Sequence, residues 1–141
     1  MKFFLDNNIS HRLAAALLVL DHHAEQEKWT ISHLRDRFAP HTEDVTWLGA
    51  LGREGEWIVI SGDIRISRNR AERAAWRESG LTAFFFASQY PEKKIWTQVM
   101  HFLHWWPEIT REAREHREAP EGSGYVIPMQ RRKKWNIITH D

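Results

Sequence analysis

The chain has 141 residues with 42% apolar and 28% charged side chains and a formal net charge of +1, enough for one domain with a real core and too balanced for a polycation that coats nucleic acid indiscriminately. It has no cysteine, which excludes disulfides, thiolate metal sites and cysteine nucleophiles and fits a reducing cytoplasm. Apolar runs stay short, so neither a signal peptide nor a membrane span is expected, and the eight tryptophans are scattered without a repeat period.

In chain order, Lys2 to Leu5 reads as a buried first strand, because it is aromatic-rich and stops at the turn-favouring Asp6-Asn7-Asn8. Ser10 is placed to cap a helix whose leucines at 13, 17 and 20 carry it to about Ala24. Trp29 to Leu34 is a weaker strand candidate. After Pro40, Thr42 can cap a helix from Glu43 with Val45, Leu48 and Leu51 as its buried stripe, ended by Gly52 and Gly55. Trp57 to Ile60 is the next strand, and a second acid, Asp63, closes it. Asn69 with Glu72 reads as a capping box for a helix that Gly80 ends. Leu81 to Phe86 is continuously apolar, as a strand covered on both faces requires. A helix from Lys94 follows, kinked or divided at Pro107 and ending near His116. Pro120 to Gly124 reads as a linker, Tyr125 to Ile127 as a short edge strand, and Arg131 to Lys134 as a basic tail. The chain thus divides into one α/β domain at 1–119 and a C-terminal basic tail or edge strand at 120–141.

Strands alternating with helices predict an α/β sandwich whose central sheet is mostly parallel, with four or five strands. In such sheets the ligand crevice lies beyond the carboxyl ends of the strands, where Asp6 and Asp63 both fall, while Asp44 opens the helix between them. Three converging carboxylates repel in a low-dielectric crevice, and a hard divalent cation is the usual remedy.

The strings Phe3-Phe4-Leu5-Asp6-Asn7-Asn8, His33-Leu34-Arg35-Asp36-Arg37-Phe38, Glu43-Asp44-Val45 and Val59-Ile60-Ser61-Gly62-Asp63 resemble PIN-like domains, in particular their VapC-like toxin branch. The resemblance covers roughly residues 2–111. It implies an α/β/α fold, Mg²⁺- or Mn²⁺-dependent ribonuclease activity, and metal-binding, catalytic roles for Asp6, Asp44 and Asp63. It also implies an antitoxin partner encoded nearby. Two positions depart from the family pattern: Asn7 stands where many relatives have an acid, and Arg65 stands where a fourth acid often follows the third. A one-metal site or a scaffold of reduced activity, binding RNA or a protein, is therefore the competing reading.

Phosphodiester hydrolysis asks for a metal that ionises water and balances charge on phosphorus, for which carboxylates are suited ligands. Asn8 and Ser61 are placed to hydrogen-bond the carboxylates and fix their rotamers. Arg65, Arg68, Arg70 and Arg73 are candidates for pinning RNA phosphates. Each feature also has a plainer explanation: Asp44 on a helix dipole, Asp6 bracing a turn, and the arginines on a solvated helix face. His101 and His104 have the spacing of zinc ligands but no acidic third ligand beside them, and Trp105-Trp106 points instead to packing. A receiver-like phosphoacceptor domain would want paired acids after the first strand and a lysine after the last, and Asn7 and the missing lysine disfavour it. The stripe of Trp96, Phe102, Trp105 and Trp106 is either a dimer face or buried within the monomer.

Overall fold

A computed structural model describes residues 1–131 and 133–140. Its centre is one six-stranded sheet formed by β1 (Lys2–Leu5), β2 (Thr30–His33), β3 (Trp57–Ser61), β4 (Ala83–Phe86), β5 (Gly124–Ile127) and β6 (Asn136–Ile138), in the order β2-β1-β3-β4-β5-β6. The first five strands run parallel, and β6 returns antiparallel to β5. The strand expected at Tyr125 is therefore interior, and β6 takes the edge.

The helices are α1 (His11–Leu20), α2 (His22–Gln26), α3 (Leu34–Arg37), α4 (Asp44–Glu54), α5 (Arg70–Ser79) and α6 (Ile95–Glu115). Because side chains alternate along a strand, consecutive apolar residues divide between two cores. Phe3, Leu5, Ile58, Ile60, Phe84 and Phe86 face α1, α2 and α6, while Phe4, Trp57, Val59, Ala83 and Phe85 face α4 and α5. Large aromatics fill both layers: Phe3 lies 4.9 Å from Trp106 and Phe4 5.0 Å from Trp47, centroid to centroid. Burying each such side chain is worth roughly 1.5–3 kcal/mol, which explains why short strands suffice. The result is the predicted α/β/α sandwich, with six strands where four or five are expected, because β6 adds to the edge of β5.

Several boundaries differ from expectation. The first helix does not reach Ala24 unbroken. Asp21 turns extended, caps α2 by accepting from the backbone N–H of His23 and Ala24, and accepts the indole N–H of Trp106 at 2.7 Å. Glu43 rather than Thr42 occupies the cap position of α4, Thr42 having turned its hydroxyl to the Ala39 carbonyl. Val45, expected in the buried stripe, is 44% exposed, and Trp47 takes its place in the core. Gly52 does not break α4. A Cβ there would come within 2.9 Å of Ser79, so this glycine lets α4 and α5 approach, and Gly55 at φ 77° ends the helix. Pro107 leaves α6 in one piece from Ile95 to Glu115.

The C-terminal segment is sewn into the sheet. Gly124 opens β5, with Trp76 lying where a Cβ would project. Trp135 packs on Trp105 and Tyr125 and bonds Glu118, so the basic stretch ends on an anchored residue. Arg132 of that stretch lies outside the described residues. Of the aromatic stripe on α6, Phe102, Trp105 and Trp106 are buried in the monomer, whereas Trp96 is 77% exposed. No described helix is long and apolar enough to cross a membrane.

Candidate active site

Asp6 follows β1 directly, and its backbone N–H continues the ladder to Ile60 at 3.1 Å. Its carboxylate is 2% exposed and fully engaged. Oδ1 accepts the backbone N–H of Asn8 (3.1 Å) and Gly62 (3.2 Å), and Oδ2 accepts the Ser61 hydroxyl. Burial pushes its pKa up to about 7 against the pull of those three donors, with a small further push from Asp44. The contact from Asn8 comes from its backbone N–H. Ser61 does more: its oxygen also accepts the Asp63 N–H at 2.9 Å.

Asp63 ends the β3 loop and caps a single 3-10 turn at Ile64–Ser67. Arg65 grips it twice, Nε to Oδ1 and Nη2 to Oδ2, both at 2.8 Å, while the Arg65 backbone N–H adds a third bond at 3.0 Å. Burial raises the Asp63 pKa, but these bonds and the guanidinium charge outweigh it and hold the carboxyl below its ordinary range. Asp44, half-buried in the first turn of α4, accepts the Trp47 indole N–H at 2.9 Å. Burial raises its pKa, and Asp63 raises it further.

Glu72, which its spacing from Asn69 marks as a capping-box residue, lies across a cleft from Asp44. Asn69 does cap α5, accepting from Ala71 and Glu72 N–H. The Glu72 side chain, however, faces the same cleft as Asp44, and its pKa is raised by burial first and then by the charges of Asp44 and Asp63. One Glu72 oxygen, Oε2, is buried with no hydrogen-bond donor. The only signal for it in the sequence was an acid in the first turn of the helix after Asp63. Asp44 and Glu72 line an open cleft of about 400 Å³ together with Thr42 and Asn69. A larger cleft of about 550 Å³, floored by Leu17 and Trp106, lies in the other helical layer and contains none of these acids.

The neighbouring polar residues hold the loops. Asn7 donates to the Pro40 carbonyl and accepts from Arg35 Nε, tying the β1 loop to the segment before α4. His11 pairs with Asp36 at 3.0 Å, while the buried His33 accepts the Arg35 backbone N–H at Nδ1 and donates from Nε2 to the Ile9 carbonyl at 2.7 Å. Of the four arginines, Arg65 is committed to Asp63 and Arg73 donates to the Ser67 carbonyl at 3.2 Å. Arg68 and Arg70 are exposed beside them.

The model of the PIN like domain matches residues 1–88, more than half of the chain. The chain belongs to the PIN-like domain family. This is a nuclease-type fold, and the matched stretch contains Asp6, Asp44, Asp63, Arg65 and Glu72, ending just beyond β4. No curated protein and no solved structure matches the chain.

The PIN-like resemblance implies a divalent cation, and the donors suit one in kind. Two carboxyls lining one cleft, one with an orphaned buried oxygen, need a proton or a cation between them. They are not assembled as a cage. Among the described residues no three His, Cys, Asp or Glu side chains stand together so as to hold a metal ion. Asp6 has given its oxygens to protein donors, and Asp63 has given its own to Arg65.

Proposed function

We propose that this PIN-like chain is an endoribonuclease that hydrolyses RNA phosphodiester bonds with Mg²⁺ or Mn²⁺. The observation that carries the reading is the cleft that Asp44 and Glu72 line together, with Asp63 and Asp6 in electrostatic reach of Asp44, at the carboxyl edge of a parallel sheet. Asp44, Glu72 and Asp63 are the residues that would hold the ion. When bound, it supplies an ionised water and charge balance at phosphorus. Asp6, buried and bonded to Ser61, Gly62 and Asn8, fixes the two strand-end loops and adds negative charge behind the other acids. Arg68 and Arg70 are placed to receive RNA phosphates, and their contribution should weaken as salt rises. By resemblance to the VapC-like branch, the chain acts in the cytoplasm as a toxin held in check by an antitoxin.

A scaffold reading is favoured by one observation, the commitment of both Asp63 oxygens to Arg65. The discriminating experiment is cleavage of a mixed RNA pool by the purified chain with Mg²⁺, Mn²⁺ or EDTA, beside Asp63→Asn and Glu72→Gln. Metal-dependent cleavage that both substitutions abolish supports the nuclease. Identical behaviour of all three folded proteins would overturn it in favour of the scaffold. Growth arrest on induction, relieved by a protein encoded next to the chain, tests the toxin role.

A further inference from the structure

Arg65 makes three hydrogen bonds to one carboxylate, more than the turn requires. Its backbone N–H already serves Asp63 as the cap of the 3-10 turn, and that bond would persist with any side chain at this position except proline. The side chain adds a two-pronged grip that occupies both Asp63 oxygens. Its charge also reaches Asp44 and Glu72. A guanidinium stays protonated at any working pH, so one permanent cation faces three carboxylates. The two partners differ sharply in exposure: the Asp63 side chain is 12% exposed and that of Arg65 is 80% exposed. The acid is held in the fold, while the arginine lies against it from the solvent side on a flexible stem.

We propose that Arg65 is the chain's own counter-cation, seated on Asp63 until a divalent ion displaces it, and that displacement frees the guanidinium to grip a phosphate of the RNA substrate. This deepens the nuclease reading and rests on it. A metal on Asp63 and the two prongs of Arg65 compete for the same two oxygens, and the two cations repel one another across them. The exchange is inexpensive because the guanidinium passes from one oxyanion to another, and a phosphate offers the same forked geometry as a carboxylate.

The test is Mn²⁺ binding to the full chain, read from the loss of the free-ion EPR signal, for wild type, Arg65→Ala, Arg65→Gln and Asp63→Asn. Circular dichroism serves as the check of fold. Removing the competitor should tighten Mn²⁺ by about threefold or more in both Arg65 variants, the scale expected for an exposed ion pair, and Asp63→Asn should weaken it. RNA cleavage should show the opposite face of the exchange, with KM for RNA raised in the same Arg65 variants. A structural role alone would not improve one affinity while impairing the other. Unchanged or weaker Mn²⁺ binding in folded Arg65→Ala and Arg65→Gln overturns the inference and leaves the nuclease reading standing if wild type cleaves. Absence of Mn²⁺ binding in every variant and in wild type overturns both.

Discussion

Ser61 joins Asp6 to Asp63: its hydroxyl donates to Asp6 Oδ2, and its oxygen accepts the Asp63 backbone N–H at 2.9 Å. One buried hydroxyl therefore sets the spacing between the acids that follow β1 and β3. Ser61→Ala removes a donor from a buried carboxylate and an acceptor from a backbone N–H, and leaving such groups unpaired costs about 1–3 kcal/mol. The urea midpoint should fall accordingly, and RNA cleavage should fall by more than the lost folded fraction explains. A variant with wild-type midpoint and wild-type cleavage would show that the link is dispensable.

Asp6 makes the metal-free protein less stable as pH rises. Its unfolded pKa is 3.8 and its folded value about 7, so between these limits the folded state holds the proton that the unfolded state has lost. Its stabilising contribution is complete below 3.8 and is gone above 7. Asp6→Asn keeps an acceptor toward Asn8 and Gly62 and presents an amide to Ser61, without the charge. In EDTA it should be more stable than wild type at pH 8, by at most about 4 kcal/mol for a shift of this size, and the gap should close toward pH 4. Buried His33 and His101 act in the opposite sense, because burial lowers both values and stability is lost as pH falls below 6.5. They are common to both proteins, so the difference between the two melting profiles isolates Asp6. A gap that is constant with pH would refute the assignment.

The sequence disclosed β1 and β3 because an apolar run that stops at an acid carries its own boundary, and the positions of Asp6 and Asp63 follow from the same pattern. What it concealed depends on contacts between elements. Glu72 looks like a cap residue until α5 is laid beside α4 and its carboxyl faces the same cleft as Asp44. The break at Asp21 is stabilised by Trp106, far along the chain. Asn136 to Ile138 is too short to read as a strand and exists because β5 offers an edge. The forked grip of Arg65 on Asp63 is local in sequence, yet only the 3-10 turn brings the two side chains together.

Glu112 anchors the chain after α6 and offers a test of stability away from the acids. It is 4% exposed and accepts the backbone N–H of Arg117, Glu118 and Ala119 together with the Tyr125 hydroxyl. It ties the end of α6 to β5, across the segment read from sequence as a linker. Glu112→Ala strands several donors at once and should cost about 3 kcal/mol or more. Glu112→Gln, which keeps one acceptor oxygen but turns an amide toward backbone donors, should cost less. Chemical denaturation ranks the three proteins, and cleavage per folded molecule should not change. A fall in specific activity that exceeds the folded fraction would mean that this anchor communicates with the crevice.

Gly62 and Gly124 are both closed to a side chain, and they separate a functional close approach from a structural one. A Cβ on Gly62 would fall 2.8 Å from Asn8 Cβ and 3.2 Å from the Asn8 carbonyl, forcing apart the two loops whose N–H groups hold Asp6. On Gly124, which opens β5 at the other end of the sheet, it would fall 2.4 Å from the Trp76 ring. Overpacking of either kind costs about 1–3 kcal/mol. Gly62→Ala should therefore lose activity beyond its loss of stability, because Asp6 moves with its donors, whereas Gly124→Ala should lose stability alone. Both are read by measuring cleavage at a temperature where each variant is folded. Equal specific activities would mean that the approach of Gly62 to Asn8 serves folding and not the site.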